Sequence, residues 1–206
     1  MRFTDFKRQF KDNEIIDVQN VLNYFGDIDR RRLYEWQKKD YIKKITNNYY
    51  IFSESAINDT LLKIIANRIY APSYIGLESA LSYYKLIPEA VFKTISTTTR
   101  KTKVFKTDIA LFDFRTIHRR LFWGYTLKNN NSHSFLISDL EKTILDYLYF
   151  NPHLVTEADF MELRLNGEEI RKLIDIPRLK AYLKLFTNQR VTKAIHKLMG
   201  VIDVKF

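Results

Sequence analysis

The sequence predicts an α+β protein, and three patterns along the chain lead to that class. Residues 17–52 have the pattern of two short helices followed by a hairpin. Between residues 92 and 137, stretches of alternating apolar and polar residues indicate the strands of a small sheet. From residue 138 onward the apolar spacing is helical. We therefore expect helices at both ends of the chain and a sheet in the middle.

The two short helices are marked by their predicted ends. Asp17 is a good N-cap residue, and apolar residues follow it at the spacing of one buried helical face: Val18, Val21, Leu22 and Phe25. Gly26 ends this helix, because glycine tolerates the left-handed conformation of a helix terminus. Asp27 is the expected cap of the next helix, with Asp29 in its first turn.

A basic hairpin follows the second helix. Two apolar-rich segments, Tyr41–Ile45 and Tyr49–Phe52, flank the turn residues Asn47 and Asn48. An earlier helix over residues 2–12 carries three phenylalanines at core spacing, namely Phe3, Phe6 and Phe10. Helix, turn, helix and hairpin occur in the order of a winged helix-turn-helix. We assign this DNA-binding unit to residues 1–54 and a mixed α+β domain to residues 55–206.

The second domain is expected to open with helices over residues 56–69 and 77–84. Its small, mostly antiparallel sheet would have three to five strands, with segments at 103–106, 110–114, 121–127 and 134–137 and a turn at 128–131. Ser138 and Glu141 match a capping box that starts a helix over 139–150. Further helices are expected from Thr156 onward and over 168–175, 178–186 and 191–199.

Charge and composition narrow the function classes. The chain of 206 residues has a formal net charge of +10, which favours a polyanionic partner such as nucleic acid or an anionic membrane surface. Residues 85–134 concentrate this excess, with 10 Lys and Arg against 3 Asp and Glu. The absence of cysteine excludes disulfides and thiolate chemistry. Without a signal peptide or a long apolar run, the expected location is the cytoplasm, with no membrane partner.

The second helix supplies the first candidate DNA-binding residues. Leu33 and Trp36 fall on one face and are expected to pack on the first helix. The opposite face and its surroundings provide the candidate contacts: Arg31, Tyr34 and Lys38, with Arg30 at the flank and Lys43 and Lys44 on the hairpin. Arginine can read guanine edges in a major groove while the other groups hold phosphate. The alternative is a solvated helix face.

A second basic cluster lies on the predicted sheet. It includes the possible additional nucleic-acid contacts Arg100, Lys101, Lys103, Lys106, Arg119 and Arg120, near Lys93 and Arg115. These side chains could extend the nucleic-acid footprint. Alternatively, they keep an exposed sheet face soluble and prevent edge-to-edge aggregation.

Signatures of catalysis are weak throughout the sequence. The four histidines are scattered without metal-ligand spacing, and no glycine-rich phosphate loop is present. The acidic pairs lie in segments where capping or solvent exposure explains them. We therefore expect no enzyme activity, no catalytic residues, no metal and no cofactor.

Three segments of the second domain together resemble the AbiEi-type antitoxins, which are transcriptional regulators of type IV toxin–antitoxin systems. They are IYAPSYIGLESALSYYKLIP at 69–88, the threonine-rich strand ISTTT at 95–99, and SDLEKTILDYLY at 138–149. The last is similar to the family's Glu-Lys-Ala-Leu-x-Asp element, with Thr143 in place of the usual alanine. The hairpin YIKKITNNYYIF is similar to the family's wing, with Asn47 and Asn48 in place of an Arg-Gly turn.

The resemblance implies a winged helix that binds double-stranded DNA at a repeated site in the protein's own promoter and represses the operon. It also implies a C-terminal domain that counters a nucleotidyltransferase-like toxin without a stable complex, in a system of the kind used in phage defence. Two alternatives remain from the sequence: a stand-alone transcriptional regulator without a toxin, and a module whose basic sheet binds RNA or a partner protein.

Overall fold

A computed structural model describes residues 1–130 and 133–206. Within these ranges the chain forms an α+β fold with ten α-helices, a three-stranded antiparallel sheet and a six-stranded mixed sheet. The helical C-terminal region predicted from the sequence is present. None of the described helices is long and apolar enough to cross a membrane.

The first 52 residues contain three helices and the three-stranded sheet. The elements in chain order are α1 (Phe3–Phe10), β1 (Ile16–Asp17), α2 (Val18–Phe25), α3 (Arg30–Lys38), β2 (Ile42–Thr46) and β3 (Tyr49–Phe52). Strand β3 lies in the centre of the sheet, between β1 and β2, and both pairs are antiparallel. Strand β1 was not predicted, because two residues are too few to show an alternating pattern.

The predicted ends of α2 are confirmed, whereas the predicted cap of α3 is wrong. The Asp17 carboxylate accepts a hydrogen bond from the Gln19 amide at 2.9 Å, and Gly26 adopts φ +79° after the last turn. Asp29, not Asp27, caps α3 by accepting from the Arg31 amide at 2.9 Å. Ile28 is buried between the two helices, so the chain stays non-helical until its side chain has entered the core.

The middle of the chain builds the larger sheet. Its elements are α4 (Asp59–Ile69), β4 (Ser73–Ile75), α5 (Leu77–Tyr83), β5 (Lys93–Thr98), β6 (Lys103–Lys106), β7 (Leu111–Thr116), a 3-10 turn (Arg119–Leu121), β8 (Tyr125–Asn130) and β9 (His133–Ser138). The strand order is β6-β7-β5-β4-β9-β8. The β5–β7 and β4–β9 pairs are parallel and the other three are antiparallel.

This sheet is larger than predicted and is mixed. Strand β4 was missed because it has three residues and directly follows Pro72. The strand predicted over 121–127 starts only at Tyr125, after the 3-10 turn. The turn predicted at 128–131 is also wrong for residues 128–130, which belong to β8, while Asn131 lies outside the described residues.

Five helices complete the chain: α6 (Leu140–Phe150), α7 (Glu157–Glu162), α8 (Gly167–Leu173), α9 (Ile176–Phe186) and α10 (Gln189–Val201). Helix α7 starts after Thr156 as predicted, with a capping box formed by Thr156 and Asp159. The one predicted at Ser138 is wrong, because Asp139 caps α6 by accepting from the Lys142 amide at 2.9 Å. Glu141 instead accepts a hydrogen bond from the Asp175 amide at 2.7 Å, which ties α6 to the start of α9.

The hairpin β2–β3 lies between two hydrophobic clusters. One face of it, with Ile42 and Phe52, joins the core of α1, α2 and α3. The other face, with Ile45 and Ile51, packs with residues of α4 and of the large sheet. The N-terminal elements are therefore held against the rest of the protein through α4. The division into domains at residue 54 stays a prediction.

Candidate nucleic-acid interface

Helix α3 has one buried face and one exposed face, as its sequence predicts. Leu33 and Trp36 are 3% and 5% exposed and belong to the N-terminal core. The predicted contact residues on the opposite face are all exposed, namely Arg30, Arg31, Tyr34 and Lys38. The ring of Tyr34 is notable because 58% of the residue is open to solvent. A large aromatic group is thus held on the surface among cations.

Aromatic packing fixes the direction in which the exposed face points. The Trp36 ring lies 4.7 Å from the Phe6 ring and 5.2 Å from the Phe3 ring, so α1 supports α3 from behind. At its end, the carbonyl of Trp36 accepts a hydrogen bond from the Tyr41 amide at 2.9 Å, which leads the chain directly into β2. The helix is therefore a rigid base for its outward side chains.

In the part of the chain that the structure describes, the cations on this face form no ion pair with a carboxylate. Lys38 lies over the Tyr34 ring, with its ammonium 4.8 Å from the centroid. Within the described residues, Arg30, Arg31 and Lys38 have no carboxylate in ion-pair contact. Arg32 differs, because its guanidinium donates to the Met1 carbonyl at 2.7 Å and so braces the N-terminus. The exposed face thus presents unpaired cations and an aromatic ring, together with the exposed carboxylate of Glu35.

The two hairpin lysines lie on opposite faces of their strand. Lys44 is exposed and is paired with Tyr50 in the sheet. Burial raises the pKa of Tyr50, and the charge of Arg30, at the start of α3, acts against this rise. Lys43 is half-buried and is paired with Ile51, on the face that packs against α4. The structure therefore brings Lys44 together with the α3 side of the sheet and places Lys43 on the other side.

The second basic cluster does not form one patch. Lys103 is opposite Phe114 near the end of β7, whereas Lys106 is opposite Leu111 at its beginning. Since successive strand residues alternate, these two lysines also lie on opposite faces. Arg119 and Arg120 are exposed in the 3-10 turn after β7. The other two basic residues of the group, Lys93 and Arg115, form ion pairs with Asp113 at 3.0 and 2.9 Å.

A smaller basic and aromatic surface forms where β6 begins. The guanidinium of Arg100 lies 4.0 Å from the centroid of the Tyr70 ring, and it donates to the Ala71 carbonyl at 3.2 Å. The Lys103 ammonium lies 4.5 Å from the centroid of Phe105. Lys101 is exposed next to them, and its carbonyl accepts from the Tyr70 hydroxyl at 3.0 Å. Exposed cations thus lie over two aromatic rings at this edge of the sheet, of which the Tyr70 ring is buried and the Phe105 ring is half-buried.

A buried polar network, which sequence reasoning missed, joins α6 to the large sheet. Lys142 and Asp146 are both fully buried and form an ion pair. The Tyr74 hydroxyl donates to Asp146 at 2.7 Å and lies 3.1 Å from the Lys142 ammonium. Burial raises the pKa of Asp146 and of Tyr74 and lowers the pKa of Lys142. The spacing of four residues between Lys142 and Asp146 was visible in the sequence, but their burial was not.

Rings surround this ammonium on two sides. The Trp123 and Phe186 centroids lie 5.2 and 5.5 Å from the Lys142 nitrogen. Because Lys142 and its neighbours are closed off from solvent, the network acts on the interior of the protein. It offers no surface to a nucleic acid.

In the described part of the chain, no group of three or more His, Cys, Asp or Glu side chains could hold a metal ion. A scan against protein-family models and a search of curated proteins find no match to this sequence.

Proposed function

We propose that this protein is a DNA-binding transcriptional repressor and antitoxin that autoregulates its operon and counters a nucleotidyltransferase-like toxin. The observation that carries the DNA-binding part is the exposed face of α3. The cations of this face have no acidic partner among the described residues. The opposite face of the helix packs in the aromatic N-terminal core. A surface of this kind has the charge that a phosphate backbone requires.

The order of the N-terminal elements supports a winged helix-turn-helix. Four residues, 26–29, separate α2 from α3, and the turn contains a glycine. The nine residues of α3 span about 13.5 Å, and a helix with its side chains is about 10–12 Å across, which suits the width of a major groove. In this arrangement α3 is the recognition helix and the hairpin β2–β3 is the wing.

In this arrangement each exposed side chain is assigned a contact with DNA. Arg31 is placed to read a base edge, and Arg30 flanks it at the start of the helix. Lys38 is held over Tyr34 and would meet the phosphate backbone, as would Lys44 from the wing. Lys43 is half-buried against the α4 side, so we assign it a smaller part than Lys44.

The antitoxin part is supported by the resemblance to AbiEi-type antitoxins and by where its segments lie. Strands β4 and β5, from two of these segments, are paired in the sheet. Tyr74 of the first segment bonds to Asp146 of the third. The residues that carry the resemblance are thus one connected structural unit. In this proposal the partner is a nucleotidyltransferase-like toxin, and no stable complex with it is expected.

The first experiment measures binding to DNA from upstream of the protein's own gene. We expect an affinity that falls with salt at a log–log slope of about −0.9 for each phosphate neutralised. Arg31→Ala with Lys38→Ala should weaken binding without changing the thermal midpoint. The matched control, Lys184→Ala with Lys193→Ala, removes two exposed cations of the helical tail and should leave affinity for the site unchanged. Equal losses in both variants would overturn the assignment of α3.

The second experiment tests the toxin. A neighbouring reading frame that encodes a nucleotidyltransferase-like protein would be expressed with and without this chain. We expect growth inhibition to be relieved by this chain while the two proteins fail to co-purify. Inhibition that persists when this chain is expressed would remove the antitoxin part and leave a stand-alone transcriptional regulator.

The surface at the start of β6 favours a second candidate, a module that binds single-stranded RNA. Arg100 and Lys103 supply exposed cations there, and the half-buried Phe105 ring, 4.5 Å from the Lys103 ammonium, is the kind of aromatic group on which an unpaired base stacks. Labelled single-stranded RNA and upstream DNA, compared at equal salt, separate the two candidates. Tighter RNA binding that Arg100→Ala with Lys103→Ala abolishes would favour the RNA module over the repressor.

A further inference from the structure

A cavity of about 510 Å³ lies where the large sheet meets the helical tail. Its walls come from α5, the segment 87–92, the first residues of β5 and β7, α6 and the end of α7. The apolar part of the lining includes Leu81, Ile87, Val91, Ile95, Leu111 and Leu163. Volumes of this size are typical of small-molecule sites.

Carboxylates surround this apolar space, although the chain as a whole carries a net charge of +10. Glu78, Glu89 and Glu162 line the cavity, and within the described residues none of them has an ion-pair or hydrogen-bond partner. The cation that lines the same cavity, Lys93, is already bound to Asp113 at 3.0 Å. The cavity is therefore a local concentration of uncompensated negative charge in a basic protein.

Two aromatic residues stand beside the carboxylates. Tyr147 lines the cavity from α6, and its pKa is raised by burial and then by the charges of Glu78 and Glu89. Its phenol therefore keeps its proton and can donate a hydrogen bond. Phe92 stands at the rim and is 91% exposed, although a bulky apolar side chain gains most from burial. A ligand that entered here could cover the Phe92 ring and meet the face of Tyr147.

We infer that this cavity binds a small organic cation, with its ammonium beside Glu78 and Glu89 and its apolar body against Leu81, Val91 and Leu111. An anion would be repelled by the carboxylates. A neutral apolar molecule would remove water from the carboxylates without replacing its hydrogen bonds. An amine attached to an apolar body meets both requirements, and the rings add attraction for a positive charge. This site is separate from the proposed DNA surface and does not depend on it.

The test uses three probes that share one apolar body: 4-phenylbutylamine, 4-phenylbutan-1-ol and 4-phenylbutanoate. Binding to the full chain is measured by calorimetry and by chemical-shift changes at low salt. We expect the amine to bind about tenfold or more tightly than the alcohol, as suits a charge-assisted hydrogen bond in place of a neutral one. The acid should bind most weakly.

Two double variants locate the effect. Glu78→Gln with Glu89→Gln should bring the amine's affinity down to that of the alcohol. Glu157→Gln with Glu168→Gln makes the same change in net charge at exposed positions outside the cavity, and it should leave the amine's preference unchanged. Equal affinities of the amine and the alcohol for the unmodified chain would overturn the inference. So would an equal loss of amine binding in both double variants.

Discussion

Removal of the buried ammonium of Lys142 should destabilise the protein strongly. In Lys142→Met, the apolar chain fills much of the same space, but the Asp146 carboxylate stays fully buried without its counter-charge. Breaking a buried ion pair by removing one partner typically costs about 3–5 kcal/mol. Here the Tyr74 hydroxyl still donates to Asp146, at 2.7 Å, so we expect the lower end, about 3 kcal/mol.

Removing both charges should cost much less than removing one. Lys142→Met with Asp146→Leu removes both charges of the pair, and the Tyr74 hydroxyl loses its acceptor, which costs about 1 kcal/mol. Urea unfolding at pH 7 measures both values. The fluorescence of Trp123, whose ring is 5.2 Å from the Lys142 ammonium, follows this region directly. The other tryptophan, Trp36, lies in the N-terminal core and serves as a comparison.

The double variant decides between two accounts. If it is about 2 kcal/mol more stable than Lys142→Met, unpaired charge is the cause of the single variant's loss. If it is less stable than the single variant, an unpaired buried carboxylate is not the cause of the loss, and the assumed desolvation penalty is refuted.

Three further predictions concern local features of the fold. The pKa of Tyr182 is raised to about 12 by burial and by the hydrogen bond from its hydroxyl to Asp139, at 2.7 Å. The folded chain therefore keeps a proton that the unfolded chain loses above pH 10.0, and this stability disappears as the pH rises to about 12. Urea titrations should accordingly show that Tyr182→Phe is less stable than the unmodified chain at pH 8 and that the gap narrows toward pH 12; a constant gap would contradict this. Gly124→Ala should lower the free energy of unfolding by about 1–3 kcal/mol, because φ is +71° and the added carbon would lie 3.0 Å from the Lys142 side chain; a neutral change in thermal midpoint would count against it. Asp29→Ala removes the N-cap of α3 and should cost about 1 kcal/mol, measured by urea unfolding, with Asp27→Ala as the control that changes little.

Capping preferences and helical periodicity predicted the local structure correctly where one residue type decides it. Asp17 and Gly26 define the ends of α2, and the helical period separated Leu33 and Trp36 from the exposed face of α3. The same rules failed when two residues could serve equally. Asp27 and Asp29 are both good caps, and only the burial of Ile28 in the assembled core selects the second.

Features that depend on distant partners could not be predicted. The faces of Lys43 and Lys44 follow from the register of β2 with β3 and from the packing of α4. Lys142 and Asp146 have the spacing of an ordinary exposed helical pair, and their burial depends on Tyr74 from another part of the chain. Strands of two or three residues, such as β1 and β4, are too short to show an alternating apolar pattern. They form because neighbouring strands of the sheet pair with them.

The proposed position of α3 on DNA can be tested by cleavage from a tethered metal chelate. The chain has no cysteine, so a single introduced cysteine is a unique attachment point for iron–EDTA. Glu35→Cys places the chelate on the exposed face of α3, and Leu173→Cys places it at the end of α8, where the side chain is 49% exposed.

If α3 lies in the major groove, the chelate at position 35 should cleave bound upstream DNA at a confined set of nucleotides in each site. The chelate at position 173 should give little cleavage of the same complex. Cleavage that is equal from both positions, or absent from position 35 while the DNA remains bound, would contradict the proposal that α3 is the recognition helix.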